Sequence, residues 1–233
     1  MVVARALGAI GVFQLISMTG REHVVPEGAV YIGRANGSLQ RSPLSNPFTV
    51  KDHGHAALGL YRLYLARAIV DFDERVVGAL AELTERVLPS GSAPSSCTLA
   101  CWCVERPAAP CALLGEAPAR PCHGDMVASA VLQVGRELRS WSRGRDSRAR
   151  WPDRIRQTYG AQPLATVVFA CFGARALAEL YAGHEDVRAG VPASMRAYCE
   201  RWQGHDGGQA PARAPSSTRG SASRSGRPAA PTK

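Results

Sequence analysis

Cys97-Thr98-Leu99-Ala100-Cys101-Trp102-Cys103, then, after a Pro- and Ala-rich interval, Pro121-Cys122-His123-Gly124-Asp125: this stretch decides the fold. Its first segment is short and apolar, and the breakers of residues 89–96 precede it, which reads as a buried strand. Its second segment stands before Val127, Val131, Val134 and Leu138, which recur at helical spacing, so a helix opens at Gly124-Asp125. Strand, loop and helix in that order make a unit of an α/β fold.

Upstream, residues 12–18 and 29–33 are rich in β-formers and are separated by the turn-prone Pro26-Glu27-Gly28, which predicts two strands in succession. The apolar residues 2–17 superficially resemble a signal peptide. Gln14 interrupts them and no clean cleavage site follows, so they are read as leading into the first strand. Neither this stretch nor residues 163–174 reaches the roughly 20 apolar residues a bilayer span needs, so no membrane partner is expected. Residues 34–48 are polar and turn-rich, a long loop ending Ser42-Pro43-Leu44-Ser45-Asn46-Pro47-Phe48. Two helical stripes follow, Leu58, Tyr61, Leu65 and Ala68, then Val76, Leu80, Leu83 and Val87, with Asp73 placed to cap the second. The predicted fold class is α/β: a small Rossmann-like three-layer domain over residues 12–140. A helical appendage of three short helices follows over residues 141–202, and residues 203–233 form a disordered basic tail.

The net charge of +9 is unevenly placed. Residues 1–133 hold 11 basic and 11 acidic side chains, whereas residues 134–156 hold 8 Arg against 3 acids and residues 203–233 hold 5 basic against 1 acidic. The basic excess that would suggest nucleic acid therefore sits in an Arg-rich segment and the tail, and leaves the N-terminal domain neutral. The tail carries no apolar side chain larger than Ala, too little to offset the entropy of ordering it. Trp141 and Trp151 flank the Arg run, where they could stack on bases or dock on the neighbouring domain. The seven Cys are odd in number and follow no disulfide framework, which fits a reducing, cytoplasmic compartment. Cys171 and Cys199 fall on apolar helical faces and read as packed thiols.

In a strand alternate side chains share a face, so Cys101 and Cys103 point one way and Trp102 the other. With Cys122 and His123 they offer the ligand types zinc prefers, but no Cys-x2-Cys knuckle exists and adjacent Cys122 and His123 ligate one ion awkwardly. The expectation is therefore no metal. A second reading rests on position: Cys122 and His123 precede a helix start, where backbone N–H groups and the dipole favour anions and thiolates. Cys122 could be a nucleophile with His123 or Arg34 beside it, or a buried thiol at a helix cap. Cys111, alone in the Pro-rich loop, carries no such pattern. Arg34 follows Ile32-Gly33 at a strand end, where Gly33 permits close approach and the guanidinium offers a fork for phosphate or carboxylate. Asn46, held extended by Pro47, could brace the loop or read a ligand edge. Tyr61 and Tyr64 read as core, and Asp125 as a helix cap or a proton-transfer group.

Tyr31-Ile32-Gly33-Arg34, Ser42 to Phe48, Tyr61-Arg62-Leu63-Tyr64-Leu65, Leu99 to Cys103 and Pro121 to Asp125, in that order, resemble the domain of unknown function 4326 family. The resemblance implies that Arg34, Asn46, Cys101, Cys103, Cys122 and His123 are signature positions, and it implies no particular reaction. Ser45 stands where the family pattern commonly has Gly, and residues 108–120 lengthen the link between the last two segments.

Two functions compete. The first is a pocket for an anionic, nucleotide-like small molecule. Cys122, His123 and Cys101 would be its reactive groups, and Arg34, Asn46, Gly33, Cys103 and Asp125 its binding groups. The second is a non-enzymatic, zinc-stabilised module touching nucleic acid through the Arg-rich segment and tail. No motif specifies a cofactor.

Overall fold

The computed structural model describes residues 13–19, 23–87, 95–102, 109–110, 122–141 and 151–203. Cys103, Cys111, the centre of the Arg-rich segment and residues 204–233 lie outside them, as do the side chains of Trp141 and Trp151. Strands β1 (Phe13–Ser17), β2 (Val30–Tyr31), β3 (Cys97–Cys101) and β4 (Ala109–Pro110) form one sheet in the order β2-β3-β1-β4. β1 and β2 both run parallel to β3, with Phe13 opposite Cys97 and Val30 opposite Leu99. The two predicted N-terminal strands therefore do not pair with each other, because β3 inserts between them. β4 pairs antiparallel with β1 and carries Pro110, which a sheet edge tolerates because no N–H is needed there.

Alternation along the strands sorts the core. Phe13, Leu15, Cys97, Leu99, Cys101 and Ile32 belong to the main cluster with the helices. Ile16, Met18 and Ala100 form a smaller cluster covered by Val25, Ala29, Tyr31, Leu39 and Trp102. Among the described residues the helices thus gather on one face of a mostly parallel sheet and short loop segments cover the other, so a second helical layer, which the predicted three-layer arrangement needs, is not seen there.

The helices are α1 (Val50–His53), α2 (Ala57–Val70), α3 (Glu74–Val87), α4 (His123–Trp141), α5 (Trp151–Tyr159), α6 (Leu164–Tyr181), α7 (Glu185–Ala189) and α8 (Ala193–Gln203). Asp73 caps α3 as its position predicts, its Oδ1 accepting from Arg75 N at 3.0 Å and Val76 N at 3.2 Å. Among the described residues beyond Trp141 the three short helices of the sequence reading become four. α6 is 18 residues long, the five-residue α7 carries too little periodicity to register, and Gln203 closes α8 instead of opening the tail. Val167, Val168, Leu177 and Cys199 join Phe13, Leu80 and Val127 in the same buried cluster, so these helices share the core of the sheet domain. Cys171 and Cys199 are buried, and burial pushes the Cys171 thiol up to about 12.

α6 bends at Gly173, whose φ of +82° lies in the region that favours glycine. Nearby, the Cys171 carbonyl accepts a bond from Ser129 Oγ of α4 at 2.6 Å. By length and composition α6 is apolar enough to cross a membrane, but half of it is buried within the protein.

Candidate functional site

The parallel strands β1, β2 and β3 end on the same side of the sheet, where α4 begins. β2 runs into Ile32-Gly33-Arg34, and the central strand β3 ends at Cys101. Gly124 lets the first turn of α4 descend onto this edge. A Cβ there would stand 2.6 Å from Leu15 Cδ2 and 3.3 Å from both Ile32 Cδ1 and Cys122 Sγ. His123 Nε2 bonds the Ile32 carbonyl at 2.9 Å, and because a carbonyl only accepts, Nε2 carries the proton and Nδ1 the lone pair in the neutral ring. Asp125 is the cap of its own helix: Oδ2 accepts from Cys122 N at 2.8 Å, and its own N–H donates to the Cys122 carbonyl at 3.1 Å.

Arg34 does not pair with an acid among the described residues. Its Nε donates to the Asn46 carbonyl at 2.7 Å and its Nη2 to the Phe48 carbonyl at 2.6 Å. Asn46 braces the same loop through Oδ1, which accepts from Phe48 N at 2.8 Å. Further bonds hold the earlier part of the loop, from Ser42 N to the Gly33 carbonyl at 3.0 Å and from Tyr61 OH to the Leu44 carbonyl at 2.5 Å. Ser45 is buried and accepts from Arg41 Nε at 2.9 Å. A Cβ on Gly33, just past β2, would collide with the Tyr31 ring, whose hydroxyl donates to the Arg34 carbonyl. Tyr61, read from sequence as core alone, is fully buried and also meets the edge of His123 at 5.6 Å, and Tyr64 stacks behind it at 6.1 Å. Its signal was the Tyr61 to Leu65 segment of the resemblance, whose polar atoms apolar periodicity ignores.

Burial holds the His123 imidazole below its ordinary value, and the Arg34 charge adds to this. The bond to Ile32, Cys122 and Asp125 pull the other way without reversing it. The ring is therefore neutral at neutral pH. The unfolded chain takes up this proton near 6.5 while the folded chain resists it. The stability involved is thus fully present above that value and is lost as pH falls from it towards the folded value. His123→Gln is expected to remove this part of the slope, at most about 1.4 kcal/mol per pH unit. Urea midpoints of both proteins at pH 7.5, 6.5 and 5.5 measure it, and parallel profiles would refute it.

The structure thus gathers Gly33, Arg34, Asn46, Cys122, His123 and Asp125 around one end of the sheet, with Cys101 as the last residue of its middle strand. Cys103 lies outside the described residues. No three His, Cys, Asp or Glu side chains among the described residues are grouped as a metal would need, so Cys101, Cys122 and His123 do not surround a common ion. An open groove of about 490 Å³ borders the same loop through Tyr31, Ser42 and Leu44, with Arg75 and Leu83 of α3 opposite, and it includes neither Cys122 nor His123.

These features define an α/β domain with a thiol, an imidazole and a guanidinium at the carboxyl edge of its parallel strands. Residues 17–133, half the chain, match the family described as Domain of unknown function (DUF4326), and the chain belongs to that family. Helices α5 to α8 lie beyond the matched residues. No curated protein and no solved structure matches the chain.

Proposed function

We propose that this domain, a small Rossmann-like unit of a cytoplasmic protein, binds an anionic, nucleotide-like small molecule at the carboxyl ends of β2 and β3. Ligands of open α/β sheets sit at such strand ends, and a helix start supplies N–H groups to an anion. Arg34 contributes the positive charge and Asn46 the flanking polar surface, with buried Gly33, Cys101 and Asp125 as the surroundings. Cys122 with neutral His123 supports nucleophilic chemistry, the imidazole lone pair accepting the thiol proton. The observation that carries the reading is the 2.9 Å bond from His123 to Ile32, which fixes the thiol–imidazole doublet beside Gly33-Arg34.

Iodoacetamide labelling of the full chain, read at Cys122 by mass spectrometry, tests it. AMP, ADP or pyrophosphate is expected to slow labelling several-fold and saturably, and Arg34→Ala to abolish that protection. Labelling of Cys122 at one rate with and without every anion would overturn the proposal.

A further inference from the structure

Arg34 grips its loop with the edge that guanidinium groups offer to oxyanions. Nε and Nη2 lie side by side, and each donates to one of two carbonyl oxygens, those of Asn46 and Phe48, at 2.7 Å and 2.6 Å. Two oxygens set against one guanidinium edge is how a carboxylate or phosphate engages arginine, and an ionised acceptor makes roughly twice as strong a bond as a neutral one. Arg34 is an exposed residue, and among the described residues no carboxylate stands within ion-pair distance of its guanidinium. The loop carbonyls hold the place of a charged partner. Asn46 and Phe48 are only half-buried, so water can satisfy those carbonyls if Arg34 lets go.

The bond from Phe48 N to Asn46 Oδ1 lies within residues 46–48 and moves with them, and the bonds that tie the loop to its surroundings lie before Asn46: Ser42 to Gly33, Tyr61 to Leu44, and Arg41 to Ser45. Beyond Phe48 comes only the four-residue α1, with no buried residue of its own and with a cap from Thr49. The Phe48 ring rests against Tyr64 at 6.4 Å and His53 at 5.4 Å. Loss of the Arg34 bonds would therefore loosen residues 46–53 and leave residues 42–45 in place.

Resting on the anion-binding reading above, we propose that residues 46–48 are a strap latched by Arg34. The ligand's oxyanion group, carboxylate or phosphate, opens the strap by taking the Nε and Nη2 edge from the two carbonyls. Ligand and strap compete for one guanidinium edge, so binding and release of Phe48 are a single event.

Amide hydrogen exchange on the full chain tests this, with pyrophosphate as the phosphate probe and citrate as the carboxylate probe. In the parent protein a saturating probe is expected to raise exchange several-fold in peptides covering residues 46–53 and to leave residues 42–45 unchanged. Arg34→Ala, and Arg34→Lys, which keeps the charge but offers no paired edge, are expected to show the raised exchange without any probe and no further response. A response to one probe alone identifies the oxyanion class. A saturable thermal shift from a probe, lost in Arg34→Ala, with residues 46–53 unchanged or better protected, overturns the strap and leaves the binding reading intact. No saturable shift from either probe overturns both. Parent-like exchange of residues 46–53 in the two Arg34 variants overturns the latch whatever binds.

Discussion

Tyr61→Ala is expected to lower the free energy of unfolding by about 3–5 kcal/mol, the range for removing a large aromatic from a core. The side chain has no exposure, so its loss leaves a cavity between α2, the loop and the first turn of α4, where its ring meets His123. Tyr61→Phe separates the two contributions. It keeps the ring but strands the Leu44 carbonyl on a residue that is itself buried, a cost of about 1–3 kcal/mol. Guanidinium denaturation followed by circular dichroism measures both. In the Phe variant hydrogen exchange is expected to rise at residues 42–45, the part of the loop that Arg34 does not hold. Equal losses in the two variants would mean that the hydroxyl alone matters, and a loss under about 1 kcal/mol for Tyr61→Ala would refute the packing argument.

Gly124→Val should cost about 2–3 kcal/mol, towards the upper end for forcing carbon into a packed interior. Even the first added atom would lie 2.6 Å from Leu15 Cδ2, and Leu15, Ile32 and Cys122 are all buried with no room to retreat. The first turn of α4 must lift, which stretches the bond from His123 to Ile32. The imidazole would then be better hydrated, and its pKa, followed by NMR, is expected to move up towards the ordinary 6.5. A stable variant with an unmoved imidazole would show that Gly124 is dispensable for the approach of α4 to the sheet.

What could be read from sequence follows how local each signal is. β3 announces itself as an apolar run between breakers, and α2, α3 and α4 as stripes a few residues apart, so these elements and the Asp73 cap were legible. β2 was legible as well, within the β-rich residues 29–33, whereas two-residue β4 carries too little pattern, and Pro110 argues against a strand unless it lies at an edge. Strand order is a long-range property: nothing in residues 12–33 indicates that β3 will separate the first two strands. At the candidate site, Arg34, Asn46, Cys122 and His123 were identifiable as polar or reactive residues at element ends. Their partners were not, because Arg34 binds the backbone carbonyls of Asn46 and Phe48 and His123 binds that of Ile32, and every residue owns such an oxygen. For Asp125 the sequence left a helix cap and a proton-transfer group open, and its bond from Cys122 N shows the capping contact, which depends on sequence spacing alone.

The pairing of Phe13 with Cys97, and of Ser17 with Cys101, has a consequence for biosynthesis. While the polypeptide is leaving the ribosome, β1 has no parallel neighbour until residue 101 has been added, and β2 waits for the same segment. The α2–α3 hairpin can condense early from contacts close in sequence, whereas the sheet must pay the loop-closure entropy of the whole interval at once. Phe13 and Leu15 therefore stay without their final cover throughout that interval, and β3 is the keystone whose arrival lets the rest of the domain close.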